Sequence, residues 1–353
     1  MNLILTFDYE LFGDGSGNVF THIIEPTNTI LGLCQKQGIK ITIFFEALEY
    51  LKLKEEWDKG NTMGYTENPV KAIEQQIRRA AKNGHDIQLH IHPQWHNAKY
   101  QNDRWELDLN NWRLGEFQAS TKNGIYELIR ESKTALENLI KPVEPDYQCI
   151  ALRAGGYNIM PSSEVYTAMV ELGIKYDSSV YPGGYETGNL SKYDYRNIPL
   201  EMDYWWVDEK DIRIASNTKK DILEIPVFAL PVPRWQRVFT ISKIQSLLFR
   251  KKTVMSAVAK EKVGNKSLRQ KLQFILEKEA STWDVCMFSK KLHKKYFRYI
   301  ENKLSGKRDT FVLIGHPKSL QNEKLFKQFI TTAKRQNKDF QFKTLSEYYE
   351  SII

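Results

Sequence analysis

One pattern constrains this chain more than any other. Short, nearly continuous apolar runs end in polar residues, and helical stretches separate them. Leu3-Ile4-Leu5-Thr6-Phe7 runs into Asp8-Tyr9-Glu10. Asp86-Ile87-Gln88-Leu89-His90-Ile91-His92 leaves a helical stretch that Gly84 stops. Phe311-Val312-Leu313-Ile314-Gly315 ends in His316-Pro317. Strands apolar on both faces need cover on both faces, and that is the condition of a parallel sheet wrapped in helices. The alternation therefore predicts an α/β fold with a parallel sheet. Helices are expected over 26–37, 69–83, 124–140, 161–172, 323–336 and about 345–349. Strands are expected over 3–7, 39–45, 86–92, 148–152, 174–179, 222–227 and 311–315, with a loop around Gly60 and Gly64.

The polar residues gather at the strand ends: Asp8 and Glu10, His90 and His92, Arg153, Asp177, His316. A β/α barrel builds its active site at that end of its strands. Side chains alternate along a strand, so His90 and His92 share a side, as do Asp8 and Glu10. Two neutral imidazoles and a carboxylate make a three-ligand site for a divalent metal. Each feature also has a plainer reading. The histidines can be polar residues at a strand exit, and the two acids can cap a strand. His316-Pro317 can be a turn, and Asp177 can cap one through Ser178 and Ser179.

With 353 residues the chain can bury one large core or two. The expectation is a single catalytic domain over 1–353. No apolar run is long enough to span a bilayer, and the N-terminus lacks the pattern of a secretory leader. Cys34, Cys149 and Cys286 are too few and too far apart for a disulfide framework or a clustered zinc motif. These features lead to the expectation of a cytoplasmic protein. The net charge of +8 is concentrated: residues 241–308 carry an excess of about thirteen positive charges. That segment reads as a basic, mainly helical insertion. Its face is either simply solvated or a contact for an anionic partner, such as a diphosphate-linked sugar, an acidic glycan or a membrane surface. Its interleaved aromatics carry no nucleic-acid fold signature, so no nucleic-acid partner is expected.

Several motifs occur in the order found in one family. Thr6-Phe7-Asp8 is followed by Gly84-His85-Asp86-Ile87 leading to His90, then Arg153-Ala154-Gly155-Gly156-Tyr157, then Leu313-Ile314-Gly315-His316-Pro317. In this the chain resembles the NodB-homology polysaccharide deacetylases, the carbohydrate esterase family 4 enzymes. Tyr176-Asp177-Ser178-Ser179 and Glu224-Ile225-Pro226 are similar to sequences of the same superfamily. The resemblance implies an irregular (β/α)7 barrel and metal-dependent removal of an acetyl group from an N-acetylated sugar. It implies Asp8 as the base that deprotonates water and Arg153 as the cation that holds that aspartate. It also implies backbone N–H groups of Gly156 or Tyr157 facing the oxyanion, and His316 protonating the leaving amine. The cofactor implied is a divalent metal, zinc first, with nickel, cobalt or manganese as alternatives. The expected setting is assembly of a surface polysaccharide such as O-antigen or capsule, on an anionic or lipid-linked sugar. The alternatives are hydrolysis of another non-peptide C–N bond and metal-free carbohydrate binding.

The chain departs from the family pattern twice. The usual second aspartate after the base is Tyr9 here, and Glu10 follows as the candidate ligand. The usual second histidine, four residues after the first, is Gln94, which leaves His92 as the substitute. His92 and His96 keep the four-residue spacing, so a shifted register stays open. The tryptophans at 95, 105, 112, 205 and 206 are either core or sugar-stacking platforms. Trp95 and Tyr181 are the candidates for substrate contact. Asp177 and Glu224 are expected to be supporting residues.

Overall fold

The computed structural model describes residues 1–118, 124–234, 277–320, 322–336 and 340–353. In chain order the strands are β1 (Asn2–Tyr9), β2 (Thr42–Glu46), β3 (Asp86–Ile91), β4 (Lys99–Gln101) and β5 (Arg104–Glu106). Then come β6 (Ala151–Ala154), β7 (Tyr176–Asp177), β8 (Tyr185–Thr187), β9 (Lys192–Asp194) and β10 (Trp205–Trp206). The last are β11 (Leu223–Glu224), β12 (Ala229–Pro233), β13 (Lys278–Thr282), β14 (Thr310–Gly315) and β15 (Gln341–Lys343). The helices are α1 (Glu25–Gln35), α2 (Ala47–Asp58), α3 (Pro69–Lys82), α4 (Gly124–Ile140), α5 (Ser163–Glu171), α6 (Lys290–Tyr299), α7 (Glu323–Gln336) and α8 (Leu345–Glu350).

The main sheet runs β10-β11-β7-β6-β3-β2-β1-β14, and β15 joins the first half of β1. From β11 to β14 every pairing is parallel. The sheet also curls back on itself. Val227, just after β11, bridges in parallel to Val312 of β14, and Phe228 N–H donates to the Val312 carbonyl at 2.8 Å. Seven parallel strands thus wall an α/β barrel, as the strand–helix alternation predicts. The hairpins β4–β5 and β8–β9 lie off the main sheet.

Local chemistry explains most of these elements. Leu3, Ile4, Leu5 and Phe7 of β1 are at most 1% exposed, because the strand sits between neighbours and under helices. Helix α3 starts where the Asn68 side chain accepts from Lys71 N–H, with Pro69 in the first turn. It buries Val70, Ile73, Ile77 and Ala80 on one face. Each of the two isoleucines contributes about 2 kcal/mol from burial alone. Helix α2 went unread in the sequence, where the stretch before Gly60 looks highly charged. Its start is signalled by Glu46, whose carboxylate accepts from the N–H groups of Leu48 and Glu49.

Residues 241–276 of the basic segment lie outside the described residues. Residues 277–308 are built into the wall of the fold. β13 pairs with β12, Asp284 bridges to Ile314, and Trp283 is fully buried. Helix α6 buries Leu292, Tyr296 and Phe297 and exposes Lys291, Lys294 and Arg298.

Candidate metal centre

Every polar residue singled out at a strand end arrives at the same end of the barrel. β1 delivers Asp8 and, just past it, Glu10. β3 delivers His90 and His92, β6 delivers Arg153, and β14 leads into His316. Among the described residues, Glu10, His90 and His92 offer ligand atoms that all lie within 4.8 Å of one another. Glu10 Oε2 is 2.7 Å from His92 Nε2 and 3.5 Å from His90 Nε2. His96 is outside this group. Its ring packs edge-on against Phe117, so the 3-10 turn at Pro93–Trp95 turns the shifted register away.

His90 tests whether these residues fit a metal. Its Nδ1 is 2.8 Å from the Arg153 carbonyl oxygen. A carbonyl only accepts, so Nδ1 carries the proton and Nε2 is left with its lone pair. That nitrogen is buried and has no hydrogen-bond partner. It faces Glu10 Oε2 at 3.5 Å and Asp8 Oδ2 at 3.8 Å. A lone pair against two carboxylates is repulsive unless a second proton or a cation lies between. Two imidazole nitrogens and a carboxylate oxygen form the donor set of a divalent transition metal, so the residues fit.

The ionisation states agree with that fit. Burial pushes Glu10 up, but Lys318 and His92 outweigh it and hold the carboxyl well below its ordinary range. Lys318 Nζ is 2.7 Å from Glu10 Oε1. Burial lowers His92 despite the pull of Glu10, which keeps the ring neutral as a ligand must be. Gln94 lies 2.8 Å from His92 Nδ1 through its amide nitrogen, while its buried Oε1 has no partner. With that amide turned over, Oε1 accepts from Nδ1–H and Nε2 is free for a metal. In either orientation Gln94 holds the His92 ring from its Nδ1 side.

Asp8 sits beside this group, fixed from the other side. Arg153 Nη1 donates to Asp8 Oδ1 at 2.7 Å and to Thr6 Oγ1 at 2.9 Å. Arg153 Nε and Nη2 reach Ser178, and the guanidinium lies over the Phe44 ring at 3.9 Å. Burial pushes Asp8 up, but Arg153, His90 and His316 together hold its pKa below the usual aspartate value. His316 Nε2 is 3.6 Å from Asp8 Oδ2, and its Nδ1 is 3.7 Å from Asp284 Oδ2. Burial lowers the His316 pKa, yet Asp284 and Asp8 more than offset it, and the net shift is upward. Its side chain is 23% exposed against 5% for Asp8, so His316 is the more open of the two.

No family model matches the sequence, and no curated protein matches it. Solved structures do match. A Mycobacterium smegmatis protein named as a polysaccharide deacetylase aligns over 99% of this chain and 89% of its own, at 13% identity and TM-score 0.51. A Pseudomonas aeruginosa PAO1 protein of the same name aligns over 99% and 89%, at 12% identity and TM-score 0.50. This chain has the NodB-homology fold.

In this NodB-homology barrel the turn after β6 brings its backbone up against the histidines. A Cβ on Gly155 would stand 2.5 Å from His92 Cγ, so only glycine fits there. Gly156 and Tyr157 follow with φ of 57° and 64°, a left-handed turn beside the centre. Trp95 is 1% exposed and packs against Trp105 at 5.2 Å, so it belongs to the core and presents no platform. Trp112 is the tryptophan next to the centre, edge-on to His92 at 6.4 Å. Tyr181 is buried among Tyr157, Tyr193 and Tyr195, with its hydroxyl 3.0 Å from that of Tyr193. Asp177 and Glu224 are fully buried behind Arg153, and burial raises both carboxyls. Asp284 and Lys318 were missed in the sequence. Asp284 lies inside the basic segment, where its neighbours hide it. Lys318 is two residues beyond His316, and that proximity was the available signal.

Proposed function

We propose that this protein is a metal-dependent hydrolase that removes the N-acetyl group from a sugar. The observation that carries this reading is the convergence of Glu10, His90 and His92 beside an arginine-held Asp8. A divalent cation there, zinc first, would polarise the amide carbonyl and lower the pKa of a water. The remaining steps belong to the chain. Asp8 Oδ1 is committed to Arg153, so Oδ2 is the oxygen that takes the proton from the attacking water. His316, whose pKa Asp284 and Asp8 raise, gives its proton to the departing amine. Gly156 and Tyr157 supply backbone N–H groups to the oxyanion.

The substrate proposed is an anionic or lipid-linked N-acetylated sugar used in building a surface polysaccharide, in the cytoplasm. The exposed lysines and arginine of α6 support an anionic partner or peripheral contact with a membrane surface. No helix among the described residues is long and apolar enough to cross a membrane.

The test is amine release from a panel of N-acetyl sugars, run beside cyclic amides, with and without added metal. Metal-dependent release from a sugar, lost in Asp8→Asn, is the expected result. Opening of a cyclic amide alone would move the assignment to another C–N bond. Binding of sugars without turnover or metal uptake would make this a carbohydrate-binding protein.

A further inference from the structure

The Glu10 carboxylate has two oxygens, and they have different partners. Oε2 faces His92 and His90. Oε1 is 2.7 Å from Lys318 Nζ. Lys318 is itself anchored: its ammonium donates to the Leu11 carbonyl and lies 5.7 Å from the Phe12 ring. Its side chain is only 10% exposed. A buried ammonium at this distance is a fixed positive charge, not a passing surface contact.

Resting on the reading of Glu10, His90 and His92 as ligands, we infer that Lys318 limits Glu10 to one-oxygen ligation and weakens cation binding in favour of reactivity. Two consequences follow from the geometry. With Oε1 held by Lys318, closing both Glu10 oxygens onto a cation would draw that cation toward the ammonium, so ligation through Oε2 alone is favoured. The positions that chelation would fill stay free for water and substrate, and a catalytic site must keep such positions open. The second consequence is electrostatic. Asp8 lies against Arg153 and Glu10 against Lys318, and His316 Nε2 is 3.6 Å and 3.7 Å from the two carboxylates. With the Glu10 charge partly offset by Lys318, a divalent ion bound there would keep more of its own charge to act on the carbonyl and water. It is also held less tightly, because affinity rises with the negative charge of the ligands. Lys318 is thus a positioning residue that acts through Glu10.

The experiment compares wild type, Lys318→Met and Lys318→Arg. Zinc affinity is measured by chelator competition, and the visible spectrum is taken with cobalt loaded. Thermal melts of the metal-free forms confirm folding. Lys318→Met should bind zinc about tenfold or more tightly. Its cobalt bands should weaken as Glu10 closes onto the ion with both oxygens. Lys318→Arg, which keeps the charge, should stay within a fewfold of wild type. If wild type binds metal and Lys318→Met binds it equally or less tightly, the inference fails while the metal reading stands. If wild type binds no metal, both fail together.

Discussion

Arg153 and Asp8 are 145 positions apart in the sequence, yet Nη1 of one lies 2.7 Å from Oδ1 of the other, and both side chains are buried. The pair fixes Asp8, the proposed base, and holds its pKa down in a place where burial alone would raise it. Removing one partner leaves the other charge unpaired in the interior. Arg153→Met should therefore lower stability by about 3–5 kcal/mol in denaturant unfolding. Adding Asp8→Asn to it should restore part of the loss, because the stranded carboxylate is gone.

His316 is not one of the three candidate ligands, but its Nε2 lies 3.6 Å from Asp8 Oδ2 and 3.7 Å from Glu10 Oε1. His316→Ala should cut turnover by about 10²–10⁴-fold, the usual contribution of a general acid. Metal content per chain should not change. Loss of metal from this variant would make His316 a ligand and reverse its role.

Asp284 gives a pH prediction with a definite sign. It raises the His316 pKa, so under the proposed role of His316 the proton for the leaving amine is kept to higher pH. Activity that needs protonated His316 is present below that pKa and lost above it. Asp284→Asn removes the carboxylate whose hydrogen bond raises that pKa, so the alkaline limb of kcat/KM should move to lower pH. A profile that falls equally at all pH values would assign Asp284 to structure alone.

Much of this was legible in the sequence because its signals are local. Apolar runs reported the strands, and Gly38, Gly84 and Gly173 reported helix ends. Alternation placed Asp8 with Glu10 and His90 with His92. What stayed hidden depends on contacts between distant segments. Helix α2 carries many charges because its outer face meets water, and only the Glu46 cap and its apolar inner face identify it. Trp95 looked like a candidate platform, but the 3-10 turn that begins at Pro93 rotates its ring into the core beside Trp105. Asp284 could not be paired with His316 from the chain alone, since nothing local distinguishes it within a basic stretch.

Gly155 gives a steric test of how the turn after β6 serves the histidines. A methyl group there would meet His92 Cγ at 2.5 Å, well inside contact distance. Gly155→Ala should displace the His92 ring and cost about 10–100-fold in metal affinity, as disturbing the support of a ligand does. Far-ultraviolet circular dichroism should stay that of the wild type.

The most direct measurement is metal stoichiometry after equilibrium dialysis, made on wild type, Glu10→Ala, His92→Ala and Asp8→Asn. One divalent ion per chain is predicted for wild type and for Asp8→Asn, with loss of the ion in the other two. A wild-type chain that takes up no ion, or uptake unaffected by removing Glu10 and His92 together, would contradict the account.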